Sequence, residues 1–367
     1  GGKEPFAFLG EDFIPIASQQ PLGLPLPVGF VAQPGDSIRM DHKLDTETIA
    51  VFSQSTWHIG ETWHLKGGLR WNDEEKKADI LSETQSTAPS FVALGQALLN
   101  GVSTPIDASF DRSSDDVNWM LSLSKDIGDD AMVFATVATG SKSGGFNTVS
   151  GEPSDREFDD EDTTSYEVGV KSTLFDAKMR LNATAFYTEI DDYQSQQQLE
   201  SGAGTFVSNL GEIETSGLDV YLEAVPFPNL TLTAGLLYMH KYEITEGPDA
   251  GLDLPFTAEY SGNASATFVF PVAGGKSYMR ADYSYMDDHS TNSASADQLR
   301  SKDFDDRNLL NLKLGWRNDT WDLSVWGKNV TDDEYASRTT VTFPFSSMDA
   351  YFLAPPRTYG GSIRYDF

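Results

Sequence analysis

Apolar and polar residues alternate strictly through residues 163–194 of this chain. The first arm of the segment places Tyr166, Val168 and Val170 on one face. The second arm keeps the same period, and its apolar face consists of Met179, Leu181, Ala183, Ala185 and Tyr187. A short turn at residues 175–177 separates the two arms. The pattern therefore predicts an antiparallel β-hairpin with one apolar, tyrosine-tipped face and one polar face.

Two architectures accommodate such a hairpin. In a soluble sandwich, the apolar face packs against a second sheet. In a membrane barrel, the same face contacts lipid, while the polar face lines a water-filled lumen. The hairpin alone does not distinguish the sandwich from the barrel, so the choice depends on the rest of the chain.

The period of two recurs along most of the chain and predicts about thirteen strands. Besides the hairpin, the predicted strands lie at residues 46–59, 63–72, 117–124, 132–140, 207–225, 230–244, 256–272, 277–288, 309–316, 320–330 and 357–367. Residues 1–44 have several prolines and no sustained period, which predicts an irregular extracellular loop. A polar connection at residues 73–112 contains a short predicted helix near residues 91–99.

The connections between these strands alternate in length. Those near residues 60, 128, 176, 227, 274 and 318 are short. Those at residues 73–112, 142–162, 194–204, 246–255, 287–302 and 331–354 are long. Tight periplasmic turns and large outer loops give this alternation in outer-membrane barrels, whereas a Greek-key sandwich mixes its lengths. The alternation favours an all-β, transmembrane antiparallel β-barrel.

The odd number of strands limits how such a barrel could close. Single-chain bacterial barrels have an even number of strands, because all neighbours are antiparallel. We therefore predict that the chain is the C-terminal part of a larger barrel. Its other strands would be absent from this chain or supplied by another.

Composition removes several other classes of protein. The 367 residues carry a net charge of −30, so nucleic acid is an unfavourable partner. No stretch approaches the roughly eighteen apolar residues of a helical membrane span. The mean hydropathy of −0.36 is compatible with a barrel, in which only alternate residues meet lipid. The absence of cysteine excludes disulfides and thiol chemistry.

Five motifs, in order, resemble those of TonB-dependent outer-membrane receptors. They are ATGSKSGGFN at residues 138–147, YEVGVKS at 166–172, NLGEIETSGLDVYLEA at 209–224, GKNVTDDEY at 327–335 and RTYGGSIRYDF at 357–367. The resemblance implies a plugged barrel of about 22 strands, of which residues 45–367 would be the C-terminal part. The plug and the N-terminal strands would be absent from this chain. The sequence departs from the family at residues 159–162, where DDED stands in place of Pro-Glu.

The resemblance also implies a function. Such receptors sit in the outer membrane of Gram-negative bacteria and import a scarce nutrient, most commonly a ferric siderophore, with energy delivered by the TonB complex. Cobalamin, haem and oligosaccharides remain open as cargo, as do a passive porin-like channel and a barrel component of a surface-binding complex. Expected partners are outer-membrane lipid, lipopolysaccharide and the barrel assembly machinery. No enzyme activity and no cofactor are expected, apart from an iron chelate as ligand.

Three sets of residues are candidates for a specific role. A loop cation site would use Asp159, Asp160, Glu161 and Asp162, although solvated loop charge is the simpler interpretation. A substrate path would use Lys171, Lys178, Arg180 and Arg280, although pairing with carboxylates of the wall or plug is the simpler interpretation. A C-terminal assembly signal would use Tyr359, Ile363, Tyr365 and Phe367.

The histidines and tryptophans carry simpler predictions. His42, His58, His64, His240 and His289 lack any recognised ligand spacing, so no metal site is expected among them. Most tryptophans lie near strand ends or on apolar faces, which is typical of the aromatic girdles at membrane interfaces.

Overall fold

Thirteen strands form one antiparallel sheet in the computed structural model, which describes residues 37–85, 106–147, 156–198, 205–247, 249–272, 274–290, 303–341 and 349–367. In chain order they are β1 (Ser37–Ile59), β2 (Trp63–Gln85), β3 (Ile106–Ile127), β4 (Ala131–Lys142), β7 (Glu161–Leu174), β8 (Met179–Asp191), β11 (Ile213–Phe227), β12 (Leu230–Ile244), β13 (Tyr260–Val272), β14 (Gly275–Met286), β17 (Arg307–Arg317), β18 (Trp321–Lys328) and β21 (Thr358–Tyr365). Each pairs with the next, so the sheet is a meander whose two edges are β1 and β21.

Eight shorter strands lie in the long connections. They form four two-stranded sheets: β5 (Gly145–Phe146) with β6 (Glu157–Phe158), β9 (Gln194–Gln198) with β10 (Thr205–Asn209), β15 (His289–Ser290) with β16 (Asp303–Phe304), and β19 (Ala336–Val341) with β20 (Asp349–Leu353). Across the described residues, no helix is long and apolar enough to cross a membrane.

The predicted antiparallel sheet of thirteen strands is confirmed, but several predicted boundaries were wrong. β1 begins at Ser37, so residues 37–44 belong to a strand and not to the preceding loop. The predicted polar connection at residues 73–112 is strand at both of its ends, because β2 runs to Gln85 and β3 starts at Ile106. The predicted strand at residues 207–225 is interrupted, since β10 ends at Asn209 and β11 begins at Ile213. The helix predicted near residues 91–99 lies outside the described residues.

One face of the sheet is apolar and exposed, as the alternation predicts. On β2, Trp63, Leu69 and Trp71 are exposed on this outward face. Trp63 and Trp71 are eight residues apart, or about 26 Å along a strand, which at a tilt of about 40° spans roughly 20 Å of the approximately 25 Å height of the apolar band of outer-membrane barrels. Stacked tyrosines, with Tyr238 and Tyr260 4.9 Å apart between ring centroids, lie near one border of the band.

The opposite face is polar and forms the luminal wall. In β8, Arg180 and Asn182 alternate with the outward Leu181 and Ala183, and their partners on β7 and β11 keep the same facing. Hydroxyls bond across this face, for example Thr233 with Ser265 at 2.8 Å. The hairpin of β7 and β8 is therefore one section of a barrel wall.

The turn of this hairpin is conformationally unusual. Phe175, Asp176 and Ala177 have φ values of 56°, 55° and 62°, which is the left-handed region. A side chain in that region costs about 1–2 kcal/mol per residue relative to the right-handed region, whereas glycine enters it freely. The tight turn is therefore held at a local energetic cost.

Replacing Ala177 with glycine should relieve part of this cost and raise the free energy of unfolding by up to about 1 kcal/mol. Ala185→Gly is the matched control, because Ala185 lies in the extended part of β8 and glycine there should destabilise by about 0.5–1 kcal/mol. Urea unfolding of both variants of the full-length protein in detergent measures the difference. Changes of the same sign in both variants would contradict this account of the turn.

Candidate functional site

The luminal face of the strands carries three of the four cations predicted for a substrate path, namely Lys171, Arg180 and Arg280. Lys171 on β7 lies with its Nζ 5.3 Å from the centroid of the Phe134 ring. Arg180 on β8 places Nη1 3.2 Å from Oε2 of Glu223, the residue directly opposite it on β11. Lys178 precedes β8 and belongs to the turn, so it is exposed at the end of the wall.

Arg280 lies farther along the same face. Its guanidinium contacts Asp282 on its own strand, β14, and donates to Oγ1 of Thr267 at 3.3 Å. In register terms, Arg180, Glu223 and Asp282 belong to one row that crosses the wall from β8 to β14. The row spans about 19 Å, from four strand spacings of roughly 4.8 Å. It is a polar band of paired charges and carries no excess of positive charge.

A polar depression of 570 Å³ brings Lys171 and Arg180 together at the end of the lumen where the short turns lie. It is also lined by Asp126 at the end of β3 and by Asp129 and Asp130 of the turn between β3 and β4. The predicted path cations therefore face carboxylates of the wall. A substrate role for these cations stays a prediction.

Most carboxylates of the acidic segment at residues 159–162 form ion pairs or hydrogen bonds with other groups of the protein. Arg112 on β3 places its guanidinium 3.0 Å from Glu157, 3.1 Å from Asp159 and 3.0 Å from Asp160. The Arg112 side chain is only 11% exposed, so the guanidinium shared by these three ion pairs is shielded from solvent. We name this group, Arg112 with Glu157, Asp159 and Asp160, the arginine clamp.

Asp160 is the most constrained member of the clamp. Burial alone would raise the pKa of its carboxyl. The N–H of Gly144 at 2.6 Å, the hydroxyl of Ser114 at 2.7 Å and the charge of Arg112 outweigh burial and hold that pKa below its ordinary value. Glu161 accepts a hydrogen bond from the backbone N–H of Gln194 at 2.7 Å. Three of the four carboxylates of the predicted cation site, those of Asp159, Asp160 and Glu161, are therefore engaged by protein donors, and ion binding there stays a prediction.

The clamp attaches the connection between β4 and β7 to the extended ends of β2 and β3. Phe146 on β5 packs against a small apolar cluster that contains the buried Ala78 and Ile80 of β2. Its ring centroid lies 5.8 Å from that of Phe110 on β3. The amide of Asn147 and the backbone of Val207 exchange two hydrogen bonds, which ties this connection to β10. The connection between β4 and β7 thus packs against the outer ends of β2 and β3 and against β10 at the mouth.

Sequence reasoning missed a second acidic group at the mouth. Carboxylate oxygens of Glu189, Asp191 and Glu212 lie within 4.8 Å of one another. Burial and the neighbouring charges of Glu189, Glu246 and Asp191 raise the pKa of Glu212. The alternation of Glu189 and Asp191 on one face of β8 was visible in the sequence, but the approach of Glu212 depends on the pairing of β8 with β11.

The structure also brings together two histidines that the sequence left apart. His58 on β1 and His64 on β2 are directly opposite each other, three residues on either side of Glu61 in the connecting turn. Asp126 on β3 contacts the second of them. No sequence motif marks this pair, because the two histidines are brought together only by the register of the hairpin formed by β1 and β2.

The C-terminal strand places the predicted assembly signal on the outward face. Tyr359, Ile363, Tyr365 and Phe367 are all exposed. The Tyr365 ring lies 4.7 Å from Trp321 on β18 and 4.9 Å from Phe367, measured between centroids. The chain therefore ends in an exposed aromatic cluster at the border of the apolar band, and recognition of that cluster stays a prediction.

Comparison with protein families gives one match over most of the chain. The family model described as "TonB dependent receptor-like, beta-barrel" matches residues 9–330. Among curated proteins, the pesticin receptor of Yersinia pestis is 26% identical over 331 residues, covering 88% of this chain and 44% of the receptor. The catecholate siderophore receptor Fiu of Escherichia coli is 24% identical over 233 residues, covering 59% of this chain and 29% of that receptor.

Solved structures share the fold. The ferric yersiniabactin uptake receptor FyuA of Yersinia pestis superposes with a TM-score of 0.74 at 21% identity, covering 90% of this chain and 47% of that one. The closed form of the ferric-catecholate import receptor Fiu of Escherichia coli K12 gives 0.67 at 18% identity, covering 91% of this chain and 46% of that one. The chain thus spans less than half the length of each of these four matched sequences and structures.

Proposed function

The chain belongs to the TonB-dependent receptor-like β-barrel family, and from that premise we propose that it forms part of the wall and mouth of an outer-membrane importer for a ferric siderophore. Proteins of this family are multi-pass β-barrels of the Gram-negative outer membrane, and they are transport receptors. Energy coupling through TonB is therefore part of the proposal.

One observation supports the siderophore in particular. The relatives matched over most of the chain include receptors whose names specify a catecholate siderophore or ferric yersiniabactin. The mouth is consistent with a binding role, since its strand ends and loop residues are packed together by the arginine clamp and the Phe146 cluster. We further infer that the apolar outward face contacts lipid and lipopolysaccharide, that the exposed C-terminal aromatics are read by the barrel assembly machinery, and that the protein has no enzymatic role.

Radiolabelled iron uptake tests the proposal. A strain that lacks the gene and its complemented counterpart should be compared with ferric yersiniabactin and with a ferric catecholate. We expect the complemented strain to accumulate at least one of these chelates, and we expect accumulation to stop when TonB is deleted or the proton-motive force is collapsed. Equal uptake by both strains would contradict siderophore import. Uptake that persists without TonB would instead indicate a passive channel.

A further inference from the structure

The pair formed by His58 and His64 lies on the luminal face, beside the short turn between β1 and β2. These residues occupy directly opposed positions in the ladder, where the Cβ atoms of an antiparallel pair are about 4.5–5.5 Å apart. Their Nδ1 atoms are 2.7 Å from each other, and the rings meet edge to face with centroids 4.8 Å apart. Two imidazole nitrogens thus point into one small volume.

Only one proton fits between these two nitrogens. A neutral imidazole has one N–H and one lone pair, so the contact requires one Nδ1 to donate and the other to accept. The other nitrogen of His64, Nε2, is 2.7 Å from Oδ2 of Asp126. Since a carboxylate accepts hydrogen bonds, Asp126 favours the form of His64 that carries a proton on Nε2 and a lone pair on Nδ1.

This arrangement matches the surroundings of a histidine that binds a metal. Ligating histidines generally donate their second nitrogen to a carboxylate or carbonyl, which fixes the ring and increases its basicity. Asp126 supplies that contact to His64. A divalent metal ion could replace the single shared proton, with each Nδ1 donating its lone pair.

We propose that His58 and His64, positioned by Asp126, form a binding site for a transition-metal ion of the Zn²⁺, Cu²⁺ or Ni²⁺ type. Imidazole suits these ions, whereas Ca²⁺ and Mg²⁺ prefer oxygen ligands. Metal–nitrogen bonds of about 2.0–2.1 Å require the two nitrogens to separate slightly from their present contact. His58 is exposed and can make that adjustment, and water completes the coordination.

Charges of both signs surround this end of the lumen. Asp126 lines the polar depression described above together with Asp129 and Asp130 of the neighbouring turn, and Lys171 and Arg180 line the same depression. Lys66 lies two positions after His64 on the same face of β2. It is the nearest positive charge along that strand and would repel a cation. The side chain of Lys125 lies over the outward Trp63 ring, 5.0 Å from its centroid, and is therefore on the other side of the wall.

Copper electron paramagnetic resonance tests the site directly. Full-length protein without a histidine tag should be purified in detergent, stripped with a chelator and given one equivalent of Cu²⁺. We expect hyperfine splitting from two nitrogens, which oxygen ligands of lipopolysaccharide cannot produce. His58→Gln and His64→Gln should each lose this signal and bind one equivalent less, and Asp126→Asn should weaken Cu²⁺ binding about 10–100-fold.

His240→Gln is the matched control, because His240 contacts only Tyr238, on its own strand, among the hydrogen bonds of the described residues. It should retain the signal of the unaltered protein. An unchanged spectrum and stoichiometry in His58→Gln and His64→Gln would overturn the proposal.

A second measurement needs no variant and therefore does not depend on folding of the mutants. Diethylpyrocarbonate modification of the unaltered protein should be followed by mass spectrometry with and without Zn²⁺. We expect Zn²⁺ to protect His58 and His64 but not His240 or His289. Equal modification of the pair under both conditions would also overturn the site. Neither outcome depends on which nutrient the receptor imports.

Discussion

Replacing Ala183 with arginine should lower the stability of the barrel in a bilayer by about 2–4 kcal/mol. Ala183 lies on the outward face of β8 between Val170 of β7 and Val220 of β11. It is four residues from the tyrosine at the mouth side and four from the first residue of the strand, which places it near the middle of the apolar band. A guanidinium there would be transferred from water into hydrocarbon.

Asn182→Arg is the matched control for this substitution. Asn182 is the adjacent residue of the same strand, but it faces the lumen beside Lys171 and Tyr221. The same side chain introduced there remains in water, so we expect a change within about 0.5 kcal/mol. Unfolding of both variants in phospholipid vesicles, followed by tryptophan fluorescence, gives the comparison. Equal costs at the two positions would mean that the two faces of the sheet have been assigned wrongly.

Removing the arginine clamp should release the connection between β4 and β7 from the mouth. Arg112→Gln takes away the cation shared by three carboxylates, and we expect a local loss of about 1–3 kcal/mol, the range for leaving a buried hydrogen-bonding group without its partner. The barrel itself should remain folded, because the ladder between β2 and β3 does not depend on this side chain. Hydrogen exchange at Gly144 and at Asn147 should therefore accelerate about 5- to 150-fold, with little change elsewhere.

Arg39→Gln serves as the control, because Arg39 also pairs with carboxylates at the outer end of the wall but is about half exposed. Exposed ion pairs contribute little to stability, so its effect on exchange should be small. Equal acceleration in both variants, or none in Arg112→Gln, would show that the clamp does not hold the connection.

The clamp also predicts a pH dependence. Because the folded-state pKa of Asp160 is lowered, its stabilising contribution is fully present above the pKa of the unfolded chain. That contribution is lost as the pH falls through the lower, folded-state value. The connection should consequently stay docked at neutral pH and loosen under acidic conditions.

Membrane-spanning parts of the wall were predictable because lipid imposes a pattern on them. Val168, Ala183 and Leu181 must alternate with polar residues if one side meets hydrocarbon and the other meets water. The same reasoning could not find the outer ends of β2 and β3. Beyond Trp71, the outward positions are Asp73, Glu75 and Lys77, and the inner face is also polar until Ala78 and Ile80, so the apolar period is lost over residues 72–77. Only the hydrogen-bonded ladder with neighbouring strands shows that the extension continues.

The candidate sites were harder to predict for a related reason. Arg112 and Asp160 are 48 positions apart and meet because a loop folds back onto the wall. His58 and His64 meet because of the register of one hairpin, which a ligand motif on a single strand does not represent. Each pairing is set by tertiary register, whereas the sequence displays only local spacing.

The unequal lengths of the strands have a consequence for access to the pore. Because all six short turns lie at one end of the wall, the difference between the 23 residues of β2 and the 8 residues of β21 appears at the outer rim. Those 15 residues correspond to about 50 Å measured along a strand. Within the thirteen-stranded sheet, the outer rim is therefore higher at β2 than at β21, which is preceded by the connection that contains β19 and β20. The outer opening of this part of the wall is consequently stepped and not level.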